Sequence, residues 1–89
     1  NLADALEELK LCGFTILGMD ERAEHSIDQK EYSGKNVLVM GAEGKGMRRL
    51  TREHCDVLVK IPMAGTVSSL NVSVATGVIL YEAVRQRTR

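Results

Sequence analysis

A strand that runs into the only proline of the chain limits the folds open to it. Val57-Leu58-Val59-Lys60-Ile61 is an apolar, β-branched run that stops at Pro62 and gives way to Met63-Ala64-Gly65-Thr66-Val67-Ser68-Ser69 before a helical pattern begins. Proline has no N–H to offer a neighbouring strand, so pairing ends there. Ser68 or Ser69 is placed to cap the following helix. Strand, turn and helix in this order, with Ser69, Asn71 and Ser73 at the opening of the helix, make a polar pocket at a strand's carboxyl end. Open α/β sheets bind ligands there.

The rest of the chain fits around that unit. Leu2, Leu6 and Leu9 recur at helical spacing, which predicts an amphipathic helix over residues 2–12, with Gly13 just past its end. Phe14-Thr15-Ile16-Leu17-Gly18 reads as a short strand. Residues 19–36 are polar and mixed and read as a loop, with a helical turn near Ala23 and a turn signal at Ser33-Gly34. Asn36 to Met40 form a near-continuous apolar run, the mark of a strand covered on both faces in a parallel sheet. A glycine loop follows, then a helix from about Met47 to His54, the strand Val57–Ile61 as the third of the chain, and a last helix from about Leu70 to Arg87. Strands alternating with helices predict an α/β fold, a parallel sheet flanked by helices. The chain's 89 residues allow one small domain or part of a larger one.

The last helix is apolar on two sides. Leu70, Val74, Gly77, Val78 and Tyr81 share one face; Val72, Thr76, Ile79, Leu80 and Ala83 share another. A helix of this kind is covered on both sides. The sheet takes one face, and a subunit interface or a further helix of the domain takes the second.

The glycine loop Gly41-Ala42-Glu43-Gly44-Lys45-Gly46 fails both familiar phosphate templates. Glu43 stands where G-x-G-x-x-G needs glycine, and Lys45 is followed by Gly46 where the P-loop needs Ser or Thr. A backbone path that approaches a ligand closely at a helix start survives that test, as does a plain tight turn. Lys45, Arg48, Arg49 and Arg52 form a local basic patch, readable as a phosphate contact or as a solvated face countered by Glu53 and Asp56. Arg85, Arg87 and Arg89 read as a solvated helix end.

Charge gives no help to nucleic-acid binding, since 12 basic residues meet 12 acidic ones. Aromatic residues are only 3%, so the core is aliphatic. Two distant cysteines, Cys12 and Cys55, without a C-x-x-C pattern read as reduced thiols of a cytoplasmic protein. His54 beside Cys55 lacks metal-ligand spacing, so no metal is expected, and Cys55 reads as a small packing residue. No apolar run approaches the roughly 20 residues a membrane span needs, so no membrane is expected.

Two stretches carry a resemblance. Leu38-Val39-Met40-Gly41-Ala42-Glu43-Gly44-Lys45-Gly46-Met47, followed by Ile61-Pro62-Met63-Ala64-Gly65 and Ser69-Leu70-Asn71-Val72-Ser73-Val74-Ala75, resemble the second and third motifs of the SpoU (TrmH-like) RNA 2′-O-ribose methyltransferases of the SPOUT superfamily. The likeness runs over essentially the whole chain and is nearest to the bacterial members that act on a guanosine of large-subunit (23S) ribosomal RNA. It implies methyl transfer from S-adenosyl-L-methionine to a ribose 2′-hydroxyl, a trefoil-knotted fold, and a homodimer built on the helix over residues 70–87. Aligned by motif, Gly41, Ile61 and Leu70 stand where the family holds the cofactor's adenosine, with Met63 and Gly65 beside them. Glu43 occupies the place of a functional acid that helps hold the active-site arrangement. Ser69 and Asn71 suit orientation of the ribose or of a catalytic partner, and neither is a strong base.

The family's first motif, an N-x-x-x-R segment whose arginine is the usual catalytic partner, is not found here. Residues 1–89 therefore read as the C-terminal part of a methyltransferase domain, incomplete for catalysis alone. Two other readings stand beside it: a tRNA ribose 2′-O-methyltransferase, and a non-catalytic α/β module for RNA binding or dimerisation that keeps the fold.

Overall fold

The computed structural model of the chain describes residues 1–41, 47–63 and 71–89. Helix α1 spans Leu2–Leu11, strand β1 Thr15–Met19, β2 His25–Ser26, β3 Asn36–Val39, helix α2 Arg49–Glu53, strand β4 Val57–Lys60 and helix α3 Val72–Thr88. The strands form one four-stranded sheet in the order β2-β4-β1-β3, with every pair parallel. Leu17 is opposite Leu38 of β3 and Val57 of β4, so β1 runs through the middle of the sheet.

Local chemistry explains the first turn of the path. The Asn1 side chain accepts from Asp4 N at 2.9 Å and starts α1. At the other end Gly13 takes φ +90°, Phe14 N donates to Leu9 O at 3.0 Å and Gly13 N to Lys10 O at 3.0 Å. This is the left-handed glycine cap with its two closing hydrogen bonds. Leu9 and Phe14 then pack on the same cluster, which turns the chain into β1.

Alternation along β1 and β3 divides the core into two layers. On one face Ile16 and Val39 meet Leu6 of α1 and Met47. On the other, Leu17 and Val59 meet Ile27, Tyr32 and Ile79 of α3. Gly18 sits in β1 where a Cβ would lie 2.6 Å from Cys55 Sγ and 2.9 Å from both Leu58 Cδ2 and Met47 Cε. Only glycine lets the foot of α2 approach the central strand this closely.

Three expectations are corrected. The segment over residues 19–36 is not all loop: His25 and Ser26 pair with Val59 and Lys60 as a fourth strand, so β4 is flanked on both sides. The helical turn falls at Ile27–Gln29, fixed by Ser26 N donating to Gln29 Oε1 at 2.8 Å, while Ala23 closes a tight turn through its N–H to Asp20 O at 3.0 Å. Leu80 does not join the buried face of α3; it is 54% exposed, while Ala75 and Ile79 are buried. The open side of α3 thus carries Val74, Val78 and Tyr81 at helical spacing, with Leu80 and Val84 beside them. The bounds of α1, β1, β3, β4 and α3 otherwise fall within two residues of those read from the sequence.

Candidate functional site

The parallel sheet brings the carboxyl ends of its strands to one edge. Gly41 follows β3, Ile61, Pro62 and Met63 follow β4, and Asp20 follows β1 between them. Ile61 is half-buried and packs against the core on the α3 side, whereas Met63 is exposed. Glu43, Lys45, Gly65, Ser69 and Leu70 lie outside the described residues, as do Ser68 and the rest of residues 64–70. The part of the edge that the structure describes after β3 and β4 thus offers a glycine, an aliphatic side chain and a proline, with Asp20 between them. Such a surface suits the flat, apolar ring and hydrogen-bonding rim of an adenosine better than a bare phosphate.

Asn71, not Ser68 or Ser69, is the residue that caps α3. Its Oδ1 accepts from Ser73 N at 2.8 Å and from Val74 N at 3.4 Å. The helix accordingly starts at Val72 and not at Leu70. The cap fixes the direction of the Asn71 side chain at the start of the helix.

The basic patch divides. Arg48 is extended and precedes α2; an arginine side chain has no acceptor with which to cap a helix, which shortens α2 to five residues. Arg49 lies 3.9 Å from Glu53 and both are exposed. Arg52 points inward: it is 27% exposed, its Nη1 donates to Met47 O at 3.4 Å and lies 3.9 Å from Asp20 Oδ2. Asp56 is no counter-charge for these arginines. Its Oδ2 accepts from Ile16 N at 2.7 Å and its Oδ1 lies 3.9 Å from Lys10.

Asp20 is the charged group that the sequence reading missed. It is 5% exposed, and its carboxylate receives Arg22 N at 2.8 Å, Arg22 Nε at 3.0 Å and Arg22 Nη2 at 3.0 Å. The Arg22 hydrogen bonds hold its carboxyl below the usual carboxylate range against the opposing effect of burial, and Arg52 adds to them. An Asp one position past a strand, followed two residues later by a cation, is the signal that could have found it, because aspartate accepts from the backbone two residues on.

Other candidates prove structural. Burial pushes the Cys55 thiol up; its Sγ donates to Thr51 O at 3.4 Å, and it packs as a small apolar residue. His54 ends α2, with Nδ1 2.8 Å from Leu50 O. Arg87 Nε donates to Tyr32 O at 2.8 Å and Nη2 to Gly34 O at 2.6 Å, which fastens the end of α3 to the loop before β3. Arg85 forks onto Glu82 at 2.9 and 2.7 Å, and these bonds with one from Gln86 bring Glu82 down to about 2. A cleft of about 380 Å³ opens between α3 and the sheet, lined by Leu17, Leu38, Ile79 and Ala83 and reaching Asn36. Asn36 begins β3, so this cleft lies away from the carboxyl edge. Among the described residues no helix is long and apolar enough to cross a membrane.

Comparison with known proteins fits this geometry. Residues 1–81 match the SpoU rRNA Methylase family. The 23S rRNA (guanosine-2′-O-)-methyltransferase RlmB of Pseudomonas putida is 66% identical over 87 residues, which are 98% of this chain and 35% of that protein. RlmB of Escherichia coli K12 is 59% identical over 88 residues, 99% of this chain and 36% of that protein. The chain thus spans about a third of the relatives it matches. Among solved structures, the A. aeolicus TrmH/SpoU tRNA modifying enzyme superposes with a TM-score of 0.90 at 43% identity, over 99% of this chain and 45% of that one. The SpoU methyltransferase AviRb from Streptomyces viridochromogenes, solved in complex with the cofactor AdoMet, superposes with a TM-score of 0.85 at 37% identity, over 98% of this chain and 35% of that one. The parallel sheet, the strand that stops at Pro62 and the glycine that follows β3 are therefore the SPOUT arrangement, and the chain belongs to the SpoU rRNA Methylase family.

Proposed function

We propose that this chain is the C-terminal part of an S-adenosyl-L-methionine-dependent ribose 2′-O-methyltransferase that acts on a guanosine of 23S ribosomal RNA. The match of 66% to an enzyme of that description, over nearly the whole chain, carries the reading. The alternative of a tRNA substrate draws on a solved tRNA modifying enzyme at the lower identity of 43%.

The residues at the carboxyl edge fit the cofactor. Gly41 and Ile61 offer backbone atoms after two neighbouring strand ends, Met63 adds an apolar side chain beside them, and Gly65 and Leu70 complete the set by motif. When bound, S-adenosyl-L-methionine supplies a methyl group already made electrophilic by its sulfonium. The protein's part is to place a hydroxyl oxygen in line with that carbon and to help its proton leave. Asn71, aimed by its cap, orients the ribose together with Ser69, and Glu43 helps hold the arrangement. Ser69 and Asn71 are not strong bases, and the family resemblance implies an arginine of the first motif as the group that activates the hydroxyl.

Arg48 and Arg49, with Lys45, are the phosphate contacts of this reading. Arg48 and Arg49 stand at the start of α2, where a cation opposes the helix dipole by about 0.3–1 kcal/mol, and Arg49 recovers part of that through Glu53 at 3.9 Å. The open apolar side of α3, with Val74, Val78 and Tyr81, is the interface of a homodimer. A ribosomal RNA substrate places the protein in the cytoplasm.

The test uses the intact protein, 23S ribosomal RNA transcript and isotopically labelled S-adenosyl-L-methionine. Label recovered as 2′-O-methylguanosine is the expected result, and a transcript with 2′-deoxyguanosine at that position takes none. Transfer to a tRNA instead, or no transfer by a folded protein, overturns the reading.

A further inference from the structure

We propose that Arg22, held on the buried carboxylate of Asp20, contacts a phosphate of the RNA backbone beside the methyl-transfer site. The inference rests on the RNA methyl-transfer reading and adds a residue that the family motifs do not contain.

The geometry is that of a mounted guanidinium. Asp20 closes the end of the central strand, between the ends of β3 and β4 that lead into the candidate cofactor residues. An ionised carboxylate at 5% exposure must be paired. Arg22 pairs it side-on, through Nε at 3.0 Å and Nη2 at 3.0 Å, and its own N–H locks the turn at 2.8 Å. Arg52 approaches the same Oδ2 from the protein side at 3.9 Å. Two cations thus share one carboxylate, while Glu21 and Glu24 flank Arg22 in the sequence, so any anion is recognised by the geometry of the guanidinium and not by a basic surface.

Arg22 faces solvent. Its side chain is 66% exposed, and only one edge of the guanidinium is used. Nη1 has no hydrogen-bond partner among the described residues, and Nη2, with two N–H groups, gives one to Asp20. A guanidinium edge is a planar, two-pronged donor that matches two phosphate oxygens. Because Asp20 already fixes the side chain, little rotamer freedom is lost when the second edge binds. The carboxylate of the methyl donor is the other anion able to reach this edge of the sheet, and the test separates the two.

Wild type, Arg22→Ala and Arg22→Lys of the intact protein are compared in steady-state kinetics and in RNA binding between low and moderate salt. Arg22→Ala is expected to raise the KM for RNA roughly tenfold, as loss of one charged hydrogen-bonding contact does. It should also lower the slope of log affinity against log salt by about 1. The KM for S-adenosyl-L-methionine and kcat should stay unchanged. Arg22→Lys should keep the salt slope and lose part of the affinity. If Arg22→Ala does not fold, the double variant Asp20→Asn/Arg22→Ala leaves no carboxylate stranded and answers the same question. Unchanged RNA affinity and slope in a folded variant, or a rise confined to the KM for the methyl donor, overturns the contact. Because binding is read without turnover, Arg22-dependent binding by a protein that transfers no methyl group would sink the function and keep the contact.

Discussion

Replacing Gly18 with alanine tests how the central strand is joined to α2. The added Cβ would lie 2.6 Å from Cys55 Sγ and 2.9 Å from Leu58 Cδ2 and Met47 Cε. Leu58 and Met47 end in flexible groups that can swing aside. Cys55 has a single side-chain torsion, and its Sγ rests 3.4 Å from Thr51 O and 3.7 Å from Met47 Sδ. The conflict therefore passes to the backbone at the foot of α2. Overpacking of this kind costs about 1–3 kcal/mol, and alanine returns about 0.5–1 kcal/mol by limiting the unfolded chain. The expected net loss is about 1–2 kcal/mol. Cys55→Ala removes the nearest atom, so the double variant should be more stable than the sum of the single effects by at least about 0.5–1 kcal/mol. Urea denaturation of the intact protein, with midpoints compared at constant slope, measures each term. A neutral Gly18→Ala, or strict additivity with Cys55→Ala, would show that the strand and α2 do not meet as described.

Two further outcomes follow from the caps and the titrating groups. Asn71→Ala should cost about 1 kcal/mol through loss of the α3 cap, and Asn71→Ser should restore stability but not methyl transfer; full turnover in Asn71→Ser removes the amide from the mechanism. Tyr32 is buried, donates to Ile27 O at 2.8 Å and has its phenol pushed up to about 12, chiefly by burial and then by Glu82 and Asp28. The raised value means that the fold prefers the neutral phenol. That contribution is complete below about pH 10 and declines as the pH climbs toward about 12. Denaturation midpoints should therefore drop more steeply across that window in wild type than in Tyr32→Phe, and parallel curves would refute the assignment.

Where periodicity was strong, the fold could be read in advance. The alternating and continuous apolar runs at 15–19, 36–39 and 57–60 declare strands because each buries side chains on a defined face. β2 could not be read: two residues, one of them an exposed histidine, carry no period, and their pairing depends wholly on β4 being next to them. The open side of α3 was legible as a second apolar face, yet Leu80 was assigned to the wrong side because its position lies near the boundary between the two. At the site, Gly41, Ile61, Met63 and Asn71 stood out through motif, and their shared edge follows from the parallel sheet. Asp20 and Arg22 did not, because an ion pair two residues apart looks in sequence like any polar loop.

The strand order also sets a timetable. β2 is complete at Ser26, but its partner β4 begins at Val57, and β1 too waits for β3 and β4. During synthesis α1 with its glycine cap closes on contacts within residues 1–14. Pairings between distant residues are slow to form because the loop must close before any contact rewards it. β1 and β3 are both complete at Val39, whereas the strand that joins β2 to β1 is made last, so the four strands come together late and the edge that gathers the candidate site exists only after Pro62 has been added.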